Sequence, residues 1–351
     1  MIAWLFPGQG SQHVGMGAPL FAARPDLVAR ASAIAGFAID EACLRDPGGR
    51  LNQTEVTQPC LFVVNLLGYR ARIDAGQAAP SYLAGHSLGE LNALCAAGAI
   101  DWESALHLVR RRGELMARSG GGRMAAVVGL ARARVEALCA GPELDGLDVA
   151  NFNSPSQVAV SGPADLIDRA EAVFLAAGAR AYVPLPVSAP FHSRYMQPAA
   201  DAFAAELERV SFRRPELPVI ANVTGAPYSD DAADIRATLA RQMRSPVRWI
   251  DSVEWLLAAG VDTFEEIGPG TVLTRLVAQI RKEWRAAPAA PAPVAIAVTP
   301  APVAVPINSK SAPARTAAPL GIPGDDRDAD GFCAELGLRH AAMHGAIGYG
   351  I

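Results

Sequence analysis

Lysine is nearly missing from this chain: Lys282 and Lys310 are the only two among 31 basic residues. Arginine fills every other cationic position, so a run such as Arg110-Arg111-Arg112 carries little functional weight by itself. Positive charge is not in excess, and a net charge of −4 argues against a nucleic-acid or anionic-membrane binder. Cysteine is sparse. Cys43, Cys60, Cys95, Cys139 and Cys333 are scattered, odd in number and form no C-x-x-C pair. That pattern argues against a disulfide or zinc framework and fits a reducing compartment. No apolar run reaches membrane-spanning length. The opening MIAWLFPGQG lacks a basic n-region and is broken at Pro7, unlike a signal peptide. The expectation is a cytoplasmic protein without membrane or nucleic-acid partners.

What is present is a core. Hydrophobic residues make up 51% of the 351 positions and charged residues 19%, which places the chain among packed globular proteins. Three regimes follow one another. Residues 1–285 alternate strand-like and helix-like segments and are expected to be α/β, with a parallel central sheet. Within them, 122–187 reads as a unit of order βαββαβ: strands at 123–130, 148–152, 157–161 and 181–187, helices at 131–140 and 163–177. That order is ferredoxin-like. Inserted between 1–121 and 188–285, it would flank a cleft. Residues 286–324 hold 13 alanines and 9 prolines, the composition of an extended linker. Residues 325–351 resume globular-looking sequence but are too few to bury a core. They read as the truncated start of a following domain.

The stretch SYLAGHSLGELNAL, 81–94, carries the first chemical signal. A short buried-looking strand at 81–86 meets a helix at 88–97 through Gly85-His86-Ser87-Leu88-Gly89, a G-x-S-x-G turn. In such a turn the glycines permit close approach, and the serine is held exposed and strained. A serine hydroxyl needs a base to act as a nucleophile. Of six histidines, His192 in VSAPFHSRYM follows the last strand of the small unit and faces the expected cleft. Spacing alone leaves it either a base or a satisfied loop residue. The Leu88 N–H, at the start of the helix, is one oxyanion donor by geometry. The loop PGQG after the strand 2–6 offers Gln9 as a second, or is only a tight turn. A helix capped by Asp101 and running to about 117 turns Arg112 inward, between Leu108, Val109, Leu115 and Met116. A buried guanidinium needs an anionic partner. That partner is either an internal acid or a substrate carboxylate, which the fork of arginine suits.

FPGQGSQ, TQPCLF at 57–62, GHSLGE at 85–90, RRGELM at 111–116, NSPSQVAVSG at 153–162, APFHS at 189–193 and EIGPGTVL at 266–273 together resemble the malonyl-CoA:acyl-carrier-protein acyltransferase family. The resemblance covers the first 285 or so residues and implies a hydrolase-like α/β core with an inserted ferredoxin-like subdomain. It implies Ser87 as nucleophile, His192 as base, the N–H groups of Gln9 and Leu88 as oxyanion hole, and the backbone carbonyl of Gln242 orienting the histidine. Arg112 would bind the malonyl carboxylate, with Gln58, His86, Asn153 and Phe191 at the substrate site. The implied partners are malonyl-CoA and acyl carrier proteins, the phosphopantetheine arm being a substrate group. The chain itself would need no cofactor or metal and would be a monomer. GHSLGELNAL is closer to the trans-acting acyltransferases of polyketide synthases, and GFCAELGLRHAAMHGAIGYGI resembles the opening of a fused flavin-dependent enoyl reductase. FMN is therefore expected only in that following domain. The alternatives are a housekeeping fatty-acid transferase, an acyl hydrolase of the same fold, and an idle docking platform for carrier proteins. Hydrolases of this kind tend to lack the arginine at 112, and an idle platform would not need the intact Ser87, His192 and Arg112 set.

Overall fold

The computed structural model describes residues 1–284; the expected linker at 286–324 and the stub at 325–351 lie outside the described residues. The larger sheet has the order β8-β7-β2-β1-β9. Strand β1 (Ile2–Phe6) pairs in parallel with β2 (Tyr82–Gly85) and β9 (Thr263–Glu266), and β2 pairs in parallel with β7 (Val219–Ala221). Ala3 to Phe6 are all buried, as a strand covered on both faces requires. The sheet is parallel except at one edge, where the two-residue strand β8 (Ala226–Pro227) runs antiparallel to β7. Pro227 is tolerated there because the N–H it lacks would point away from β7, while the next residue, Tyr228, donates inward to the Val219 carbonyl at 2.8 Å.

Helices α1 (Ala18–Ala23), α2 (Pro25–Ala35), α3 (Ile39–Arg45) and α4 (Thr54–Asp74) separate β1 from β2. Helices α5 (Gly89–Ala96) and α6 (Trp102–Arg118) follow β2. Asp101 caps α6 by accepting from the Ser104 N–H at 2.9 Å.

The second sheet is built from β3 (Gly122–Val128), α7 (Arg132–Cys139), β4 (Asp148–Ser154), β5 (Gln157–Pro163), α8 (Ala164–Ala176) and β6 (Ala181–Pro184). Its order is β4-β5-β3-β6, all pairs antiparallel, which is the ferredoxin-like arrangement. The last strand stops at Pro184, three residues before the expected end: the Leu185 N–H makes one further bond, to the Met124 carbonyl at 2.9 Å, and the Val187 N–H then turns back to the Leu185 carbonyl at 2.8 Å. The chain returns to the larger sheet through α9 (Gln197–Leu207), α10 (Ala232–Gln242), α11 (Trp249–Ala258) and α12 (Val272–Glu283). The two sheets are joined by backbone as well as by side chains. Val247 donates to the Ala150 carbonyl at 2.8 Å and accepts from the Phe152 N–H at 2.9 Å. A single apolar cluster holds Ala3 and Leu5 of β1 together with Val127, Phe152, Val158 and Trp249. Among the described residues no helix is long and apolar enough to cross a membrane.

Glycine is required where β1, β2 and α5 meet. A Cβ on Gly85 would stand 2.0 Å from the Gly89 carbonyl carbon, and one on Gly89 would stand 2.0 Å from the Phe6 oxygen. Both obstacles are backbone and cannot swing away. Gly89→Ala is expected to lower stability by about 2 kcal/mol or more, read as a fall in melting temperature; an unchanged melting curve would contradict this packing.

Candidate active site

Parallel strands place their C-terminal ends, and the loops that follow, along one edge of the sheet. Phe6 leads into Pro7-Gly8-Gln9, Gly85 into His86-Ser87-Leu88, and Ala221 into Asn222. Ser87 has φ 52° and His192 φ 57°. With Asp46, they are the only non-glycine residues in the left-handed region among the described residues. Both are held there by their surroundings. The Ser87 N–H donates to Asn222 Oδ1 at 2.7 Å, and the Ser87 carbonyl accepts from Gln242 Nε2 at 2.7 Å. The His192 N–H donates to the Met243 carbonyl at 3.2 Å. Strain over-determined in this way gathers at reactive sites.

The two side chains meet. Ser87 Oγ lies 2.8 Å from His192 Nε2, and His192 Nδ1 lies 2.9 Å from the Gln242 carbonyl oxygen. A carbonyl only accepts, so Nδ1 carries the hydrogen and Nε2 is left bare to take the serine proton. Burial, and then the positive charge of Arg112, push the His192 imidazole from 6.5 down to about 3. The ring is expected to stay neutral at pH 5, read from its NMR carbon shifts; a midpoint at or above 6.5 would contradict this environment.

Arg112 is 1% exposed. Its Nη1 donates to Gln58 Oε1 at 2.8 Å, and its Nη2 donates to Gln242 Oε1 at 2.8 Å and to Ser87 Oγ at 3.1 Å. Every one of these partners is a neutral oxygen. Burial lowers the guanidinium to about 10, so it remains charged at neutral pH. Its neighbours in sequence differ: Arg110 and Arg111 are partly exposed and pair with Glu114, and Arg111 also with Glu206.

The small sheet contributes Asn153, whose Oδ1 lies 2.9 Å from His86 Nε2, while the His86 ring packs 5.5 Å from that of Trp249. Burial lowers the His86 pKa. The ring of Phe191, next to His192, is buried in the core cluster. Gln9 and Leu88 lie on touching loops: a Cβ on Gly8 would be 3.7 Å from the Leu88 nitrogen. The Gln9 side chain donates to Thr54 Oγ1 at 3.4 Å. Among the described residues no cluster of three His, Cys, Asp or Glu could hold a metal.

Two residues of this arrangement have no role in the sequence reading. Asn222 accepts from the Ser87 N–H, and its Nδ2 donates to the Gly85 carbonyl at 2.6 Å. Glu90, wholly buried, accepts from Gln242 Nε2 at 2.6 Å, from the Asn222 N–H at 3.1 Å and from the Tyr228 hydroxyl. A polar residue directly after the apolar run 219–221 was the available signal for Asn222.

The chain is similar to known proteins over most of its length. Residues 3–304 match the acyl transferase domain family. The polyketide biosynthesis protein ThaF of Burkholderia thailandensis is 50% identical over 280 residues, covering 80% of this chain. The chain spans only 24% of that relative's length. A second relative, the polyketide biosynthesis malonyl CoA-acyl carrier protein transacylase BaeC of Bacillus velezensis, is 46% identical and is covered in full by 82% of this chain. Among solved structures, a malonyl-transacylase in complex with its type II polyketide acyl-carrier protein superposes with a TM-score of 0.77 at 40% identity, covering 80% of this chain and 93% of that one. On this match the chain belongs to the acyl transferase domain family and is an acyltransferase.

Proposed function

We propose that this acyltransferase moves the malonyl group of malonyl-CoA to the phosphopantetheine thiol of an acyl carrier protein, supplying extender units to a polyketide synthase. His192 Nε2 takes the Ser87 Oγ proton as the oxygen attacks the thioester carbonyl. The backbone N–H groups of Gln9 and Leu88 face the oxyanion. The C–S bond breaks, and His192 returns the proton to the CoA thiolate. The carrier thiol then attacks the malonyl-serine ester by the same route in reverse, with the proton ending on Ser87. The Gln242 carbonyl holds the histidine in the required tautomer throughout.

The observation that carries this reading is a buried guanidinium with neutral partners, placed 3.1 Å from the nucleophilic oxygen. An acyl group ending in a carboxylate, three bonds from that oxygen, would meet the guanidinium directly, whereas the buried internal acid Glu90 acts on it only across the Gln242 amide; Gln58, His86, Asn153 and Phe191 shape the rest of the pocket. The reading treats 1–121 with 188–285 as the hydrolase-like core, 122–187 as the inserted subdomain and 286–324 as a linker. Residues 325–351 then open an FMN-dependent enoyl reductase, the acyltransferase needing no cofactor of its own. A cytoplasmic monomer completes the reading. Incubation with malonyl-CoA and a holo carrier protein tests it by mass spectrometry. Malonyl-carrier is the expected product; free malonate without any malonyl-carrier would overturn it in favour of a hydrolase.

A further inference from the structure

No step of the transfer uses Glu90, yet this side chain lies under the nucleophile in the first turn of α5 and is 0% exposed. Three donors from separate parts of the core fix it. Gln242 Nε2, on α10, reaches Oε2, while the Asn222 N–H at the end of β7 and the Tyr228 hydroxyl both reach Oε1. Burial nevertheless raises its carboxyl from 4.5 to about 7. The other buried charge of the site is Arg112, and one amide stands between the two. Gln242 accepts from Arg112 through Oε1 and donates through Nε2 to Glu90 and to the Ser87 carbonyl.

An amide has an accepting end and a donating end, and only its neighbours decide which way it points. All three partners of Glu90 donate, as a carboxylate requires, so Glu90, together with the Ser87 carbonyl, draws the NH₂ end towards itself and leaves the oxygen for Arg112. We propose that Glu90 is a positioning residue for carboxylate selectivity: through the Gln242 side-chain amide it holds the Arg112 guanidinium at Ser87 Oγ, where an acyl carboxylate is received. The inference rests on the reading of Arg112 given above.

A glutamine at position 90 must turn its own NH₂ towards either the Asn222 N–H or the Gln242 NH₂, a donor against a donor in both cases. Relieving the second clash reverses the Gln242 amide and sets its NH₂ against Arg112. In Glu90→Gln the preference for malonyl over acetyl in loading Ser87 is expected to fall by about tenfold or more, chiefly through slower malonyl loading. A purely structural role would slow both acyl groups alike, and an unmoved ratio overturns the proposal. Gln242→Met keeps the backbone carbonyl for His192 but removes the amide. It is expected to show the same fall, and an unchanged ratio there also overturns the proposal, even if the first variant does not fold. Combining the two should give no further loss beyond Gln242→Met, since the effect runs through one amide; an additive loss would contradict that route. The unaltered protein separates the two levels of the argument. If it loads acetyl as readily as malonyl, the reading of Arg112 itself fails. If it prefers malonyl and both variants do too, only the role of Glu90 fails.

Discussion

Arg112→Ala is expected to reduce malonyl loading on the order of a hundredfold or more while acetyl loading falls little, so that the selectivity of the enzyme is lost or reversed. The size follows from where the charge sits. A malonyl carboxylate carried into this pocket leaves water and meets, without the guanidinium, only the oxygens of Gln58 and Gln242, which repel it until their amides turn. Removing one partner of a buried charged pair costs several kcal/mol because the other charge stays behind unpaired. An acetyl group brings no such charge and loses nothing. Arg112→Lys should recover only part of the malonyl rate, since an ammonium keeps the charge but not the two-pronged geometry. Loading rates with the two acyl-CoAs, measured by rapid quench, check both variants; equal losses for malonyl and acetyl would remove Arg112 from recognition of the acyl group.

His192→Ala is expected to slow Ser87 loading by about 10⁴-fold or more, and to slow carrier acylation equally. The ring accepts the serine proton at 2.8 Å, and no other side chain that bonds Ser87 Oγ can take it, because Arg112 only donates. The same nitrogen serves both halves of the reaction, so a variant that loses one half and keeps the other would contradict the assignment. Single-turnover loading, followed by a chase with holo carrier protein, separates the two.

Much of this site was legible in the sequence where local rules decide the structure. The strand Ile2–Phe6 and the helix opened by Asp101 lie where apolar runs and a capping aspartate put them. Ser87 was marked by its flanking glycines, whose absent side chains are what the 2.0 Å approaches demand. The inward turn of Arg112 followed from helical spacing alone, and the structure buries it. Its partners could not be read in this way. Gln58 reaches it across 54 positions and Gln242 across 130, contacts that only the assembled sheets create. Glu90 lies inside the motif GHSLGE, but its role is set by three donors 132 to 152 positions away, which no local pattern shows. The expected sixth strand of the fold overran by three residues because its apolar character continues past Pro184, whereas the backbone turns back on itself at Val187, whose N–H bonds the Leu185 carbonyl.

The central claim, a serine ester whose acid end is gripped by a buried arginine, is tested most directly by the intact mass of the protein after separate exposure to malonyl-CoA and acetyl-CoA. The account predicts one malonyl group, mapped by peptide sequencing to Ser87, and little acetyl adduct. An acetyl adduct as abundant as the malonyl one, or a malonyl group on any other residue, would contradict it.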